Sequence, residues 1–301
     1  MNRLNRNPLN PCEPGGNMHF LSLLSRHSLS PWIHAQFYER FHVRLSGKIV
    51  TLQPIRGKML TLFKKEINGF LNSLIGYIVI IVFLLMTGLF LWVFPMQFNI
   101  LDFTFANLDG LFILGPFVFL FLIPAITMRS FADEKKSGTL EFLMTQPLTD
   151  LQIILAKFLA GFVLVVFSLV PTVVYYFTVY RLGMPPGNLD SGGIWGSYIG
   201  LMFLGMSFTA IGIFSSSLTD NQVVAFILSL LICFLLYLGF DYMYMFILSG
   251  KIGLIVQGLG LNAHYSSMSR GVIDTRDVIY FISITGLFIF LTKLSLESRK
   301  W

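Results

Sequence analysis

Residues 111–158 read LFILGPFVFLFLIPAITMRSFADEKKSGTLEFLMTQPLTDLQIILAKF. No charge falls between Leu111 and Met128. Arg129, Asp133, Glu134, Lys135, Lys136, Glu141, Asp150 and Lys157 then crowd together before the chain turns apolar again at Phe158. A bilayer core of about 30 Å is crossed by about 20 apolar residues of helix. The stretch therefore reads as a span, a charged loop and a second span. Composition agrees: 55% of the 301 residues are apolar, 12% are charged and the mean hydropathy is +0.73. A soluble domain carries about 25% charged residues, so the chain reads as an all-α polytopic membrane protein.

Six transmembrane helices are expected, over Leu74–Phe94, Leu111–Met128, Phe158–Tyr180, Ile194–Leu218, Val223–Phe240 and Val278–Leu296. Pro116, Pro124 and Pro171 lie inside spans, where neighbouring helices can satisfy the freed carbonyls. Ahead of the first span, Leu60, Phe63, Ile67, Phe70, Leu71 and Leu74 recur at helical spacing, with Lys64, Lys65, Asn68 and Asn72 on the other side. That pattern is an amphipathic helix suited to the membrane interface. Between the fifth and sixth spans, apolar pieces too short to cross read as re-entrant or interfacial helices. There Asp274 and Asp277 stand at N-cap and N3 spacing to cap the sixth span.

Residues 1–58 differ from the rest. They hold eight Lys/Arg against Glu13 and Glu39, and so carry the whole formal excess of +6; residues 59–301 are neutral. Four of the five histidines lie there, and no sustained hydrophobic period runs through them. Two readings of this segment stand, a basic tail touching anionic lipid and an extension ahead of a chain that starts at Met59. The second is favoured, because the ordered pattern begins at once at Met59. The excess charge sits in this segment alone, so nucleic acid is not an expected partner. Cys12 and Cys233 make no disulfide framework.

Orientation follows from Lys and Arg, which are enriched on the cytoplasmic side. Lys64, Lys65, Arg129, Lys135, Lys136, Lys157, Lys293, Arg299 and Lys300 fall on one side; Arg181, Lys251, Arg270 and Arg276 fall on the other. Both termini are expected in the cytoplasm, which puts the charged loop there too. Within that loop Gly138 stands where an N-cap would, Glu141 three residues on favours the helix N-terminus, and Pro147 ends a short helix. Thr149 and Gln152 form a capping box for the third span.

The chain lacks a P-loop, a zinc-protease motif, a nucleophile elbow and a metal-ligand cluster. No cofactor is expected, and the chain is not expected to be an enzyme. Ion-coupled transporters place acids inside the membrane; here Asp241 alone adjoins apolar sequence, at a span end, and reads as an interfacial hydrogen-bonded group. His264, the one histidine outside the N-terminal segment, reads as structural. Energy is therefore expected from a partner. Gly192, Gly196 and Gly200 make two overlapping G-x-x-x-G steps, which serve either packing within the subunit or a homodimer.

The loop ADEKKSGTLEFLMTQPLTDLQIILAKF closely resembles that of ABC-2 type permeases, whose pattern E-K-x-x-G-T-L-E followed by proline is met by Glu134, Lys135, Gly138, Thr139, Leu140, Glu141 and Pro147. SRGVIDTRDVIYF at 269–281 and the terminal LESRKW strengthen the likeness, which covers residues 59–301. It is nearest to the permease subunit of gliding-motility-associated ABC transporters. The resemblance implies a cytoplasmic coupling helix, formed by the loop residues just named, that docks on a separate ABC ATP-binding subunit. It implies an elbow helix before the first span, a second permease subunit (homodimer or pair), location in a bacterial inner membrane and contact with membrane lipid. It allows an auxiliary gliding-motility protein. The function it implies is the permease of an ATP-driven exporter. The alternative is a mechanotransmitting module that uses the same ATPase contact without passing substrate, and an ion-coupled transporter stands third.

Overall fold

The computed structural model describes residues 41–45, 48–52, 55–102, 106–146, 148–185, 187–246 and 251–298. The readings made for residues 1–40, for Pro147 and for Arg299 and Lys300 lie outside the described residues. Two compact units divide between Pro54 and Ile55. In the first, β1 (Phe41–Leu45) pairs antiparallel with β2 (Lys48–Leu52), Val43 opposite Val50. These two strands are the regular structure described within residues 1–54. Phe41, Val43 and Leu45 alternate with His42 and Arg44, as a strand requires, but over a run too short to stand out.

Among its described residues the second unit is built of helices joined by turns and loops, with no strand. Its elements are α1 (Ile55–Leu71), α2 (Leu74–Trp92), α3 (Asp109–Thr127), α4 (Arg129–Lys136), α5 (Thr139–Met144) and α6 (Asp150–Leu169). They are followed by α7 (Val173–Leu182), α8 (Ser191–Leu218), α9 (Gln222–Phe234), α10 (Phe240–Phe246), α11 (Lys251–Gln257), α12 (Leu261–Met268) and α13 (Thr275–Glu297). Among the described residues five helical stretches are long and apolar enough to cross a membrane, and six if α1 and α2, which meet at 62°, count together as one. The protein is a multi-pass membrane protein.

α1 runs through Met59, so the boundary expected at residues 58 and 59 falls inside a helix. It lies along α6, with Leu62 buried and Phe63, Phe70 and Leu71 packed on the core, whereas Leu60 is exposed. Ser73 caps α2. Pro171 breaks the third span, as its missing N–H dictates: the 3-10 turn Val170–Thr172 separates α6 from α7. The fifth span loosens into a π-helical turn at Leu235–Gly239 between α9 and α10.

α8 is the centre. Its apolar window is 72% buried, against 22% for those of the fifth and sixth spans. Small residues permit this, since glycine lets helix backbones approach closely where lipid supplies no hydrophobic drive. A Cβ at Gly212 would collide with Thr127 Oγ1, and one at Gly196 would lie 2.8 Å from the Gly271 Cα. Gly196 and Gly200 thus face the segment around α12 of their own chain, which is the packing reading of the glycine steps. The buried hydroxyls of α8 do not burden it: Thr209 and Ser215 donate back to Gly205 and Ile211 one turn earlier.

Gly212→Val forces α3 and α8 apart at their crossing. Overpacking of this kind costs about 1–3 kcal/mol, and the expected result is lower membrane abundance and a lower melting midpoint in detergent. Gly286→Val in α13, where a Cβ meets nothing within 4 Å, is the matched control and is expected to behave as the unaltered protein.

Candidate functional site

The charged loop is built as two short helices on a braced base. α4 continues from α3 after a break at Met128, a residue with no side chain able to cap. The first-turn donors of a helix have no intrahelical partner. Ser216 of α8 supplies one from outside: its Oγ accepts from the Phe131 and Ala132 N–H groups at 2.9 and 3.0 Å and donates to the Met128 carbonyl at 3.0 Å. Lys135 Nζ donates to the Ser217 carbonyl, which also accepts from Ser295 of α13. Gln222, at the start of α9, donates to Asp133. α4 is therefore held by two other spans, α8 and α9, with α13 sharing the Ser217 carbonyl.

A fourth tie runs through Lys157 of α6, whose side chain is 2% exposed. Its ammonium donates to Glu134 Oε1 at 2.8 Å, to Glu66 Oε1 of α1 at 3.1 Å and to the Ser130 carbonyl at 2.8 Å, and lies 5.2 Å from the centre of the Phe131 ring. A lysine has three protons and no acceptor, so each proton has one partner. Two carboxylates, a carbonyl dipole and an aromatic face replace the water lost on burial, which a buried charge requires.

From this base Gly138 turns the chain, with φ at 71°, a left-handed value that glycine adopts freely. Gly138 precedes α5 as expected but accepts no side-chain cap role. Ser137 and Thr139 hydroxyls meet at 2.9 Å across it. In α5 Leu140 is buried and pins the helix down, Glu141 is exposed, and Phe142 is 70% exposed. Thr149 and Gln152 form the expected capping box of α6.

The residues named from the sequence thus divide. Glu134, Lys135 and Leu140 point inward and brace; Gly138 and Thr139 make the turn; Glu141 faces outward; Pro147 lies outside the described residues. Sequence reasoning missed Lys157, Glu66, Ser216, Gln222 and Phe142. One signal was legible: a lysine inside the opening turns of an apolar span needs an acid to pair with, and Glu66 is the acid of an otherwise basic helix.

The opposite end of the bundle differs. Asp274 caps α13 as expected. Asp277 does not share the capping: its Oδ1 meets His264 Nδ1 at 2.7 Å, while His264 Nε2 meets the Gly258 carbonyl at 2.9 Å and the ring stacks on Tyr280. Asp241 accepts from Asn262 and Gln257, the hydrogen-bonded group expected. Burial, with Tyr237 adding to it, pushes the Tyr265 phenol well above its ordinary value, so it stays a donor to the Phe112 carbonyl at 2.6 Å. A cavity of about 650 Å³ opens here, with Asn107, Asp109, Phe117, Tyr237, Asn262 and Arg270 in its wall. These come from separate segments, so no local sequence pattern announced it.

A protein-family model described as "ABC-2 family transporter protein" matches residues 60–297. No curated protein matches the chain.

Ser216→Ala removes the hydroxyl that serves Phe131 and leaves a buried N–H without a partner, at a cost of about 1–3 kcal/mol. Hydrogen exchange should show it locally: the Phe131 amide is expected to exchange about five- to hundredfold faster, while amides in mid-α8 keep their protection.

Proposed function

The chain belongs to the ABC-2 family of transporter proteins, and from that premise we propose that it is the permease subunit of an ATP-driven exporter, moved through α5 by a separate ATP-binding subunit. Members of this family are membrane components of transport and pair with an ABC ATP-binding subunit. One observation carries the finer reading. α5 stands outward with Glu141 and the Phe142 ring presented, while its base is tied to three spans, α6, α8 and α9, and through Lys157 to α1. An exposed large aromatic side chain on a short helix is a docking anchor, and a braced base passes displacement to the spans rather than absorbing it.

On this reading α5 is the coupling helix, α1 the elbow helix, and Glu134, Lys135, Gly138, Thr139, Leu140, Glu141 and Pro147 together make the coupling region. The Lys and Arg distribution supports a loop end in the cytoplasm, with both termini there, and the resemblance adds a bacterial inner membrane. Two permease subunits stand on two ATPases. The likeness of residues 59–301 to the permease subunit of gliding-motility-associated transporters adds a role in gliding motility, with an auxiliary protein of that system, to the proposal.

Co-purification tests the reading. The ATP-binding subunit is expected to come down with the unaltered chain. Phe142→Ala removes an anchor worth about 2 kcal/mol, or about thirtyfold in affinity, and Glu141→Lys reverses the exposed charge beside it. Both variants should reach the membrane in normal amount and retain little ATPase. Normal recovery of the ATPase with both would place its docking site elsewhere.

A further inference from the structure

We propose that Lys157 is a positioning residue that makes α1, α4 and α6 move as one piece when the ATPase acts on α5. The proposal rests on the reading of α5 as the docking helix and goes beyond it, because neither docking nor family says how the displacement is shared among the spans.

Three features of the Lys157 contacts carry it. The acceptors belong to different elements: Glu66 to α1, Glu134 and the Ser130 carbonyl to α4, with the lysine itself on α6. The two flanks of the loop, α4 and α6, are therefore fastened at the root of α5, and the interfacial helix is fastened to the same atom. All three ammonium protons are used, so the group cannot swing to a new acceptor without leaving one of these three. The side chain is 2% exposed and the two carboxylates are 14% and 17% exposed, so water is poorly placed to take over a broken contact. Glu134 Oε2 is buried and without a hydrogen-bond partner among the described residues, so that carboxylate depends on the lysine for its compensation. α1 also rests on α6 through Leu62 and its apolar neighbours, but apolar contacts slide, whereas a three-way ionic contact has one geometry.

A substrate-independent measurement decides this. Spin labels go on exposed Lys65 of α1 and exposed Gln146 beyond α5, with a third at exposed Asn188 at the far end, in a background carrying Cys12→Ser and Cys233→Ala. The full chain is studied in complex with its ATP-binding subunit in lipid nanodiscs, with and without ATP and vanadate. In the unaltered cluster the Lys65–Gln146 distance is expected to stay constant between the two states while the Gln146–Asn188 distance changes. With Lys157→Met, which keeps length and removes the charge, the Lys65–Gln146 distance is expected to shift with nucleotide by about 2 Å or more, the scale of helix shifts in switching proteins, with the ATPase still bound. If Lys157→Met does not accumulate, Glu66→Leu frees α1 alone and is read the same way. A wild-type Lys65–Gln146 distance that changes with nucleotide, no change relative to Asn188, or a constant distance in the variant overturns the latch. Failure of the ATPase to bind the unaltered chain overturns the docking reading and the latch with it, and is seen separately in the co-purification.

Discussion

Everything in the membrane unit is arranged about the close approach of other helices to α8. In lipid the hydrophobic effect does not drive helices together, so contact depends on packing and on polar groups that need partners. α8 supplies both along its length. Glycines at Gly196, Gly200, Gly205 and Gly212 let α12, α6 and α3 come near, and serines at its last turn reach α4 and α13. The same helix therefore holds the charged loop at one end and the short helices around the cavity at the other.

The loop end shows what a polar cluster can do at such a place. A lone lysine at that depth would be expelled or neutralised, since an unpaired buried charge costs several kcal/mol. Paired with Glu66 and Glu134 it becomes specific instead, because one arrangement satisfies all three groups. Ser216 acts similarly on a smaller scale, capping a helix whose own N-cap residue, Met128, cannot. The result is a short exposed helix, α5, whose base is rigid and whose outward face is free. A braced root and a presented tip are what the proposed coupling role of α5 requires.

The bends of the third and fifth spans belong to the opposite half. Pro171 breaks the third where Thr172 meets the Tyr198 hydroxyl at 3.1 Å, and the π-helical turn at Leu235–Gly239 brings Tyr237 to the cavity wall. Such turns disturb the regular ladder and are tolerated where neighbours satisfy the released groups.

The sequence by itself determined the class, the apolar segments that become the spans, the amphipathic helix and the capping box at Thr149. These depend on local composition and on the 3.6-residue period, which a chain carries in its own order. Whether Glu134 faces a partner protein or the interior was not legible, because Lys157 and Glu66 approach it only through helix packing. Nor was the role of Asp277, whose cap spacing was satisfied on paper while His264 claimed it in space. The short alternation at Phe41–Leu45 was present but too brief to outweigh its turn-rich surroundings. What tertiary structure alone decided is which polar groups meet, since a charge near a membrane takes the partner that lies closest in space, and sequence separation does not measure that distance.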